Sequence, residues 1–139
     1  MGKLNMVSAL KRIVAVILFL SPTALWALGV GGIDVSSGLN QPFNAKIPIV
    51  GAKAGELADV NVRLSEKSVF DSAGLARPHG LTLMKFEVVP TGDGDEDGSG
   101  YIHVTTRDSV REPAWEFIID VKWRNGSLRR KYSVLLQPR

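Results

Sequence analysis

Carboxylates at alternate positions can hold a divalent cation, and Asp93-Gly94-Asp95-Glu96-Asp97-Gly98 has the D-x-D-x-D-G opening of a calcium loop. Such a loop needs a bidentate glutamate at its twelfth position. Counting from Asp93, that position is Val104. The flanks Leu83–Val89 and Tyr101–Thr106 read as strands, not as the helices that enclose a calcium loop. The run is therefore expected to be a hairpin loop solubilised by its carboxylates. A calcium-stabilised, adhesion-like domain is the alternative.

Other residues with chemical potential are scattered. His79 and His103 have no cysteine or carboxylate at ligand spacing, which disfavours zinc. His103 alternates with Ile102 and Val104 and is expected on an outer strand face. A hydrolase triad is assembled in space, so a small periplasmic hydrolase stays open as an alternative. The chain nevertheless has no nucleophile elbow, cysteine nucleophile or phosphate-binding glycine loop. No catalytic, cofactor-binding or metal-binding residue is assigned, and the chain is not expected to be an enzyme. Trp115 and Trp123 share a face with Phe117, Ile119 and Val121, so core packing accounts for them better than a ligand platform. Asn125-Gly-Ser127 matches a glycosylation acceptor, but a turn explains the same residues.

These residues must be positioned by a single small domain. The chain has 139 residues, no cysteine, 22% charged residues and a formal charge of +3. Lys3, Lys11 and Arg12 precede the apolar run Ile13–Leu20, followed by Ser21-Pro22-Thr-Ala-Leu-Trp-Ala27. That is a secretory signal, expected to be cut after Ala27. The apolar run is shorter than the ~20 residues a membrane span requires. Cleavage removes three cations and no anions, which leaves 14 basic residues of the 17 against 14 acidic ones. The near-neutral mature domain, 28–139, gives no support to nucleic-acid binding. Export into the periplasm would permit disulfides, yet none can form, so about 112 residues must rely on core burial alone.

Alternation along that domain indicates strands. Trp115, Phe117, Ile119, Val121 and Trp123 fall on one face, with Glu116, Asp120 and Lys122 opposite, which predicts one buried face. Leu128–Leu136 alternates too, and Asn125-Gly126 is a strong hairpin signal. If Arg124 faces Ser127, Trp123 meets Leu128, Ile119 meets Tyr132, Phe117 meets Val134 and Trp115 meets Leu136. The same register pairs Asp120 with Lys131 and sets Arg130 on the inner face opposite Val121, its head reaching water. Earlier strands are predicted at Ile33–Ser36, Phe43–Ile49, Asp59–Leu64, Leu83–Val89 and Tyr101–Thr106. Their inner residues include Val60, Val62, Leu64, Met84, Phe86, Val88, Ile102 and Val104. Ser65–Gly74 reads as a short helix, with Ser65 as N-cap, Val69, Phe70 and Ala73 on one face, and Gly74 as its stop. The fold expected is all-β, an immunoglobulin-like sandwich of about seven strands with one short connecting helix. A small barrel is the alternative.

Several segments also resemble a known family. Leu28-Gly-Val-Gly, Ser37-Gly-Leu-Asn-Gln-Pro-Phe-Asn-Ala-Lys-Ile47, Val62-Arg-Leu-Ser with Phe70 and Ala73-Gly-Leu75, Val110-Arg-Glu-Pro113, and Trp123–Leu136 are similar, in order and spacing, to the periplasmic N-terminal domain of the FimV family. The resemblance covers Leu28 to Pro138. It implies a non-enzymatic periplasmic module tied to type IV pilus assembly, twitching motility or cell-pole organisation. Members usually continue into a peptidoglycan-binding LysM domain, a membrane span and cytoplasmic repeats. This chain stops at Arg139, so LysM-type wall binding and cytoplasmic hub activity are not carried over. Ala114 stands where the family tends to have a bulky apolar residue, and the acidic Asp93–Asp97 run is longer than the pattern requires. Partners are expected to be envelope or pilus-assembly proteins, met by surface or strand-edge contact. Nucleic acid is not expected, and the membrane is met only through an uncleaved signal.

Overall fold

A computed structural model describes residues 28–92 and 98–138. The signal segment and the acidic run Asp93–Asp97 lie outside the described residues. The strands are β1 (Gly29–Val30), β2 (Asp34–Val35), β3 (Gln41–Val50), β4 (Asn61–Leu64), β5 (Lys85–Pro90), β6 (Gly100–Val110), β7 (Ala114–Trp123) and β8 (Gly126–Leu135). Two short helices, α1 (Lys67–Ser72) and α2 (His79–Thr82), link β4 to β5. One sheet has the order β1-β3-β6-β5, with β2 pairing β3 beside β1, and the other the order β4-β7-β8. All pairings are antiparallel. This is the expected immunoglobulin-like sandwich, with one more strand than predicted. Gly29–Val30 is too short for alternation to show, and α2 likewise has no sequence-level signature of its own.

The alternation of inner residues becomes the core. Phe43, Ala45 and Ile47 of β3, Ile102 and Val104 of β6, and Phe117, Ile119 and Val121 of β7 are all almost completely removed from solvent. They form one cluster with Leu57, Phe70, Leu81, Tyr132 and Val134, and Val62, Leu64, Phe86 and Val88 pack against it. Fully burying such a side chain contributes about 1.5–3 kcal/mol, so this inner surface carries the stability that disulfides do not. Val104, the residue at the position of the missing calcium ligand, is fully buried in it.

Three local expectations need correction. The terminal hairpin pairs Trp123 with Gly126, Val121 with Leu128, Ile119 with Arg130, Phe117 with Tyr132 and Trp115 with Val134. Its turn is therefore Arg124-Asn125, and the register is two residues away from the expected one. A two-residue slip leaves every side chain on its expected face. The Trp123 ring supplies the physical reason: it lies over Gly126, where an added Cβ would stand 3.0 Å from Trp123 Cζ2. Second, Ser65 does not cap the helix. The residue at the cap is Glu66, with no side-chain cap bond, and Ser65 is buried against β7. Gly74 does end that segment, at φ 70°. Third, β7 is buried on both sides at its centre, because Ile118 and Asp120 on the outer face are also covered, where α1 lies against the strand.

The strands β5 and β6 pair from Lys85↔Thr105 to Pro90↔Gly100, and Thr91 N–H donates to Ser99 O at 3.0 Å. The strands on either side of the acidic run thus pair as a hairpin, as expected of those flanks. Gly98 anchors its return: φ is 77°, and a Cβ would fall 2.1 Å from Ala52 O, so a side chain has no room. Between Pro42 and Asn44 the β3–β6 ladder shifts register. There Phe43 N–H donates to Thr106 Oγ1 at 2.8 Å, and that hydroxyl donates to Asp108 O at 2.8 Å, which satisfies the bulged backbone.

Candidate functional site

The outer face of the three-stranded sheet carries a cluster of charges. Cross-strand pairing puts Arg63 of β4, Asp120 of β7 and Arg129 of β8 in one row. Asp120 is nearly buried; Ser65 Oγ donates to its Oδ1 at 2.8 Å and Arg129 Nε donates to the same oxygen at 2.7 Å. Arg63 Nε stands 3.9 Å from Oδ2. Burial alone raises the Asp120 pKa, but the bonds from Arg129 and Ser65 and the charges of Arg129 and Arg63 outweigh it and hold the carboxyl below its ordinary value. The bond to Asp120 in turn raises the Arg129 pKa. Asp120 therefore bonds Arg129, not Lys131, which instead meets Glu116 at 3.4 Å. An open groove of about 360 Å³ runs over this row, between Arg63, Lys122, Ser127 and Arg129.

On the inner side, β8 holds the start of the domain. Tyr132 Oη donates to Gly31 O at 2.8 Å, and Arg130 Nη1 donates to Val30 O. The guanidinium also lies 4.9 Å from the Tyr132 ring centre. Arg130 is exposed, as expected of a head reaching water, and it also bonds the backbone of β1 and so ties the two sheets together across the sandwich. Burial raises the Tyr132 pKa, against the opposing charge of Arg130.

The histidines fall elsewhere. His103 is half-buried on the face expected, its Nε2 3.1 Å from Asn44 Oδ1. Ser36 Oγ donates to the same amide oxygen at 3.2 Å, so serine and imidazole share an acceptor and do not bond each other. His79 starts α2, where Thr82 Oγ1 donates to its backbone oxygen at 2.5 Å. Among the described residues no group of three or more histidine, cysteine or acidic side chains has metal-binding geometry. Trp115 is buried, its ring 5.5 Å from Phe43, and Trp123 packs against the core.

Sequence reasoning missed the Ser65–Asp120–Arg129 group. Its only trace was Asp120 on the polar side of an alternating strand. A carboxylate in the middle of the central strand of a sheet must find partners, and these come from residues 55 and 9 positions away.

The sheet edges complete the surface. β4 and β8 border one sheet, β5 and the β1–β2 pair the other. β8 is the longest of these at 10 residues, against 6 for β5 and 4 for β4.

Comparison with known proteins adds the family. The model of the FimV N-terminal domain, described as an Ig-like domain, matches residues 28–139. Two curated relatives, the motility hub proteins FimV of Pseudomonas aeruginosa strains PAO1 and UCBPP-PA14, are each 35% identical over 129 residues. That stretch is 93% of this chain and 14% of each relative, so the chain spans only a small part of the length of those proteins. No solved structure matches. With an antiparallel two-sheet sandwich over the same residues, this chain belongs to the FimV N-terminal domain family.

Proposed function

We propose that the domain is a non-catalytic protein-interaction module of the periplasm, exported by residues 1–27 and serving type IV pilus assembly, twitching motility or cell-pole organisation. The observation that carries this reading is the family match over residues 28–139, joined to the similarity with proteins named as motility hubs. The surface supports it: the inner faces are filled by core side chains, whereas sheet edges and a charged sheet face remain open. A sandwich of this kind meets its partners by added-strand pairing or by face contact. Periplasmic cross-linking followed by pull-down tests it. Envelope or pilus-assembly proteins should be recovered, and recovery of cytoplasmic proteins alone would refute it. Deleting the gene should impair twitching motility, and unchanged motility would remove the link to pili.

A further inference from the structure

The ladder of the terminal hairpin determines what β8 offers on its other side. Leu136 N–H donates to Pro113 O at 2.7 Å, in the same register as the β7–β8 pairs. Hydrogen-bonded and non-bonded pairs alternate in an antiparallel ladder. The even-numbered residues of β8 therefore direct their backbone groups at β7, and Ser127, Arg129, Lys131, Ser133 and Leu135 direct theirs outward. Gln137 continues this order, and its outward carbonyl is already taken by Leu39 N–H at 2.9 Å. From Ser127 to Leu135 no backbone bond from another described segment reaches this edge.

The side chains of those five residues stand on the outer face, beside the groove. Arg129 and Lys131 are 55% and 51% exposed, and Leu135 is 79% exposed, the most open large apolar residue described. The row thus reads polar, basic, basic, polar, apolar. Edge cations commonly guard against unwanted pairing, and here they disfavour a second copy, since a two-fold pairing centred on this row sets Lys131 against the Lys131 of that copy.

We propose that the free edge of β8 receives an extended acidic segment of a partner protein, added as a fourth strand, with acidic residues two positions apart opposite Arg129 and Lys131 and an apolar residue over Leu135. This assignment rests on the interaction role proposed above. Main-chain bonds supply affinity without sequence preference, and the alternate side chains supply the choice of partner. Guanidinium and ammonium groups on an open face attract carboxylates and weaken as salt rises. Arg129 keeps its Nε on Asp120, and its other guanidinium N–H groups make no bond among the described residues.

The test uses the purified protein and a synthetic peptide whose alternate residues read leucine, threonine, aspartate, aspartate, the order an antiparallel strand requires. Amide resonances of Ser127, Arg129, Lys131 and Ser133 should shift on titration. Lys131→Glu should weaken binding about three- to tenfold, and a peptide with lysine in place of only the aspartate opposite residue 131 should then bind that variant better than the original peptide does. Ser133→Pro removes an outward N–H without touching the β7 ladder and should abolish binding while the protein stays folded. Shifts confined to another edge, equal binding by Lys131→Glu, equal binding of anionic lipid vesicles by wild type and Ser133→Pro, or self-association through β8 would each overturn the assignment. If Ser133→Pro still recovers the same cross-linked envelope proteins, β8 is not the docking edge, but the interaction role stands. If the wild-type protein recovers none, that role itself fails.

Discussion

Replacing Asp120 with Asn tests whether charge, and not merely hydrogen bonding, holds the outer face of the small sheet together. Asn keeps an acceptor for the Ser65 hydroxyl, which is fully buried and donates at 2.8 Å. It loses the charge-assisted bond from Arg129 at 2.7 Å and the weaker attraction of Arg63 at 3.9 Å. A hydrogen bond to a charged group contributes about 1.5–3 kcal/mol when shielded, and the half-exposed arginines reduce that through solvent screening. The expected loss is about 1–2 kcal/mol at neutral pH, or roughly 4–10 °C in Tm. The sign of the pH dependence follows from the lowered pKa of Asp120. A depressed carboxyl contributes stability that is fully present above its unfolded value of about 4 and is lost as pH falls through the lower folded value. Urea unfolding of wild type and Asp120→Asn at pH 7 and at successively lower pH should show the gap between them closing below pH ~4. A gap that persists undiminished in acid would refute the assignment to charge. So would strict additivity of Asp120→Asn with Arg129→Gln, because each removes the same charge pair and the two should couple.

Other outcomes follow from single contacts. Tyr132→Phe removes the bond to Gly31 O and should cost about 1 kcal/mol, with faster hydrogen exchange confined first to Leu28–Gly31. Gly98→Ala meets Ala52 O at 2.1 Å and should cost more than about 3 kcal/mol by thermal unfolding, whereas Gly55→Ala, also at positive φ but in open space, should cost only about 1 kcal/mol. Calcium at millimolar concentration should leave Tm unchanged in differential scanning fluorimetry, since the residue at the twelfth loop position is a core valine.

Much of the fold was legible because period-two alternation is a local property. The faces of β6, β7 and β8, the stop at Gly74 and the hairpin around the acidic run all follow from residues within a few positions of one another. The candidate site was not legible in the same way. Arg129, Lys131 and Asp120 are visible as outward-facing charges, but their partners depend on which residues the ladder brings together. Reading Ser65 as an N-cap applied a sound local preference, and the need of a nearly buried carboxylate for a donor overrode it.

The amino-acid sequence by itself determined which side of each main strand faces the core, the all-β class and the family, because burial pattern and motif order do not depend on how strands meet. Tertiary structure alone decided the register of the terminal hairpin, since a slip of two residues preserves every face, and the observed one packs Trp123 over Gly126 and sets Asp120 against Arg129. It also decided that Arg130 and Tyr132 reach across to Val30 and Gly31, about a hundred residues away. Contacts at that separation arise when two sheets close on one another, and no local pattern encodes them.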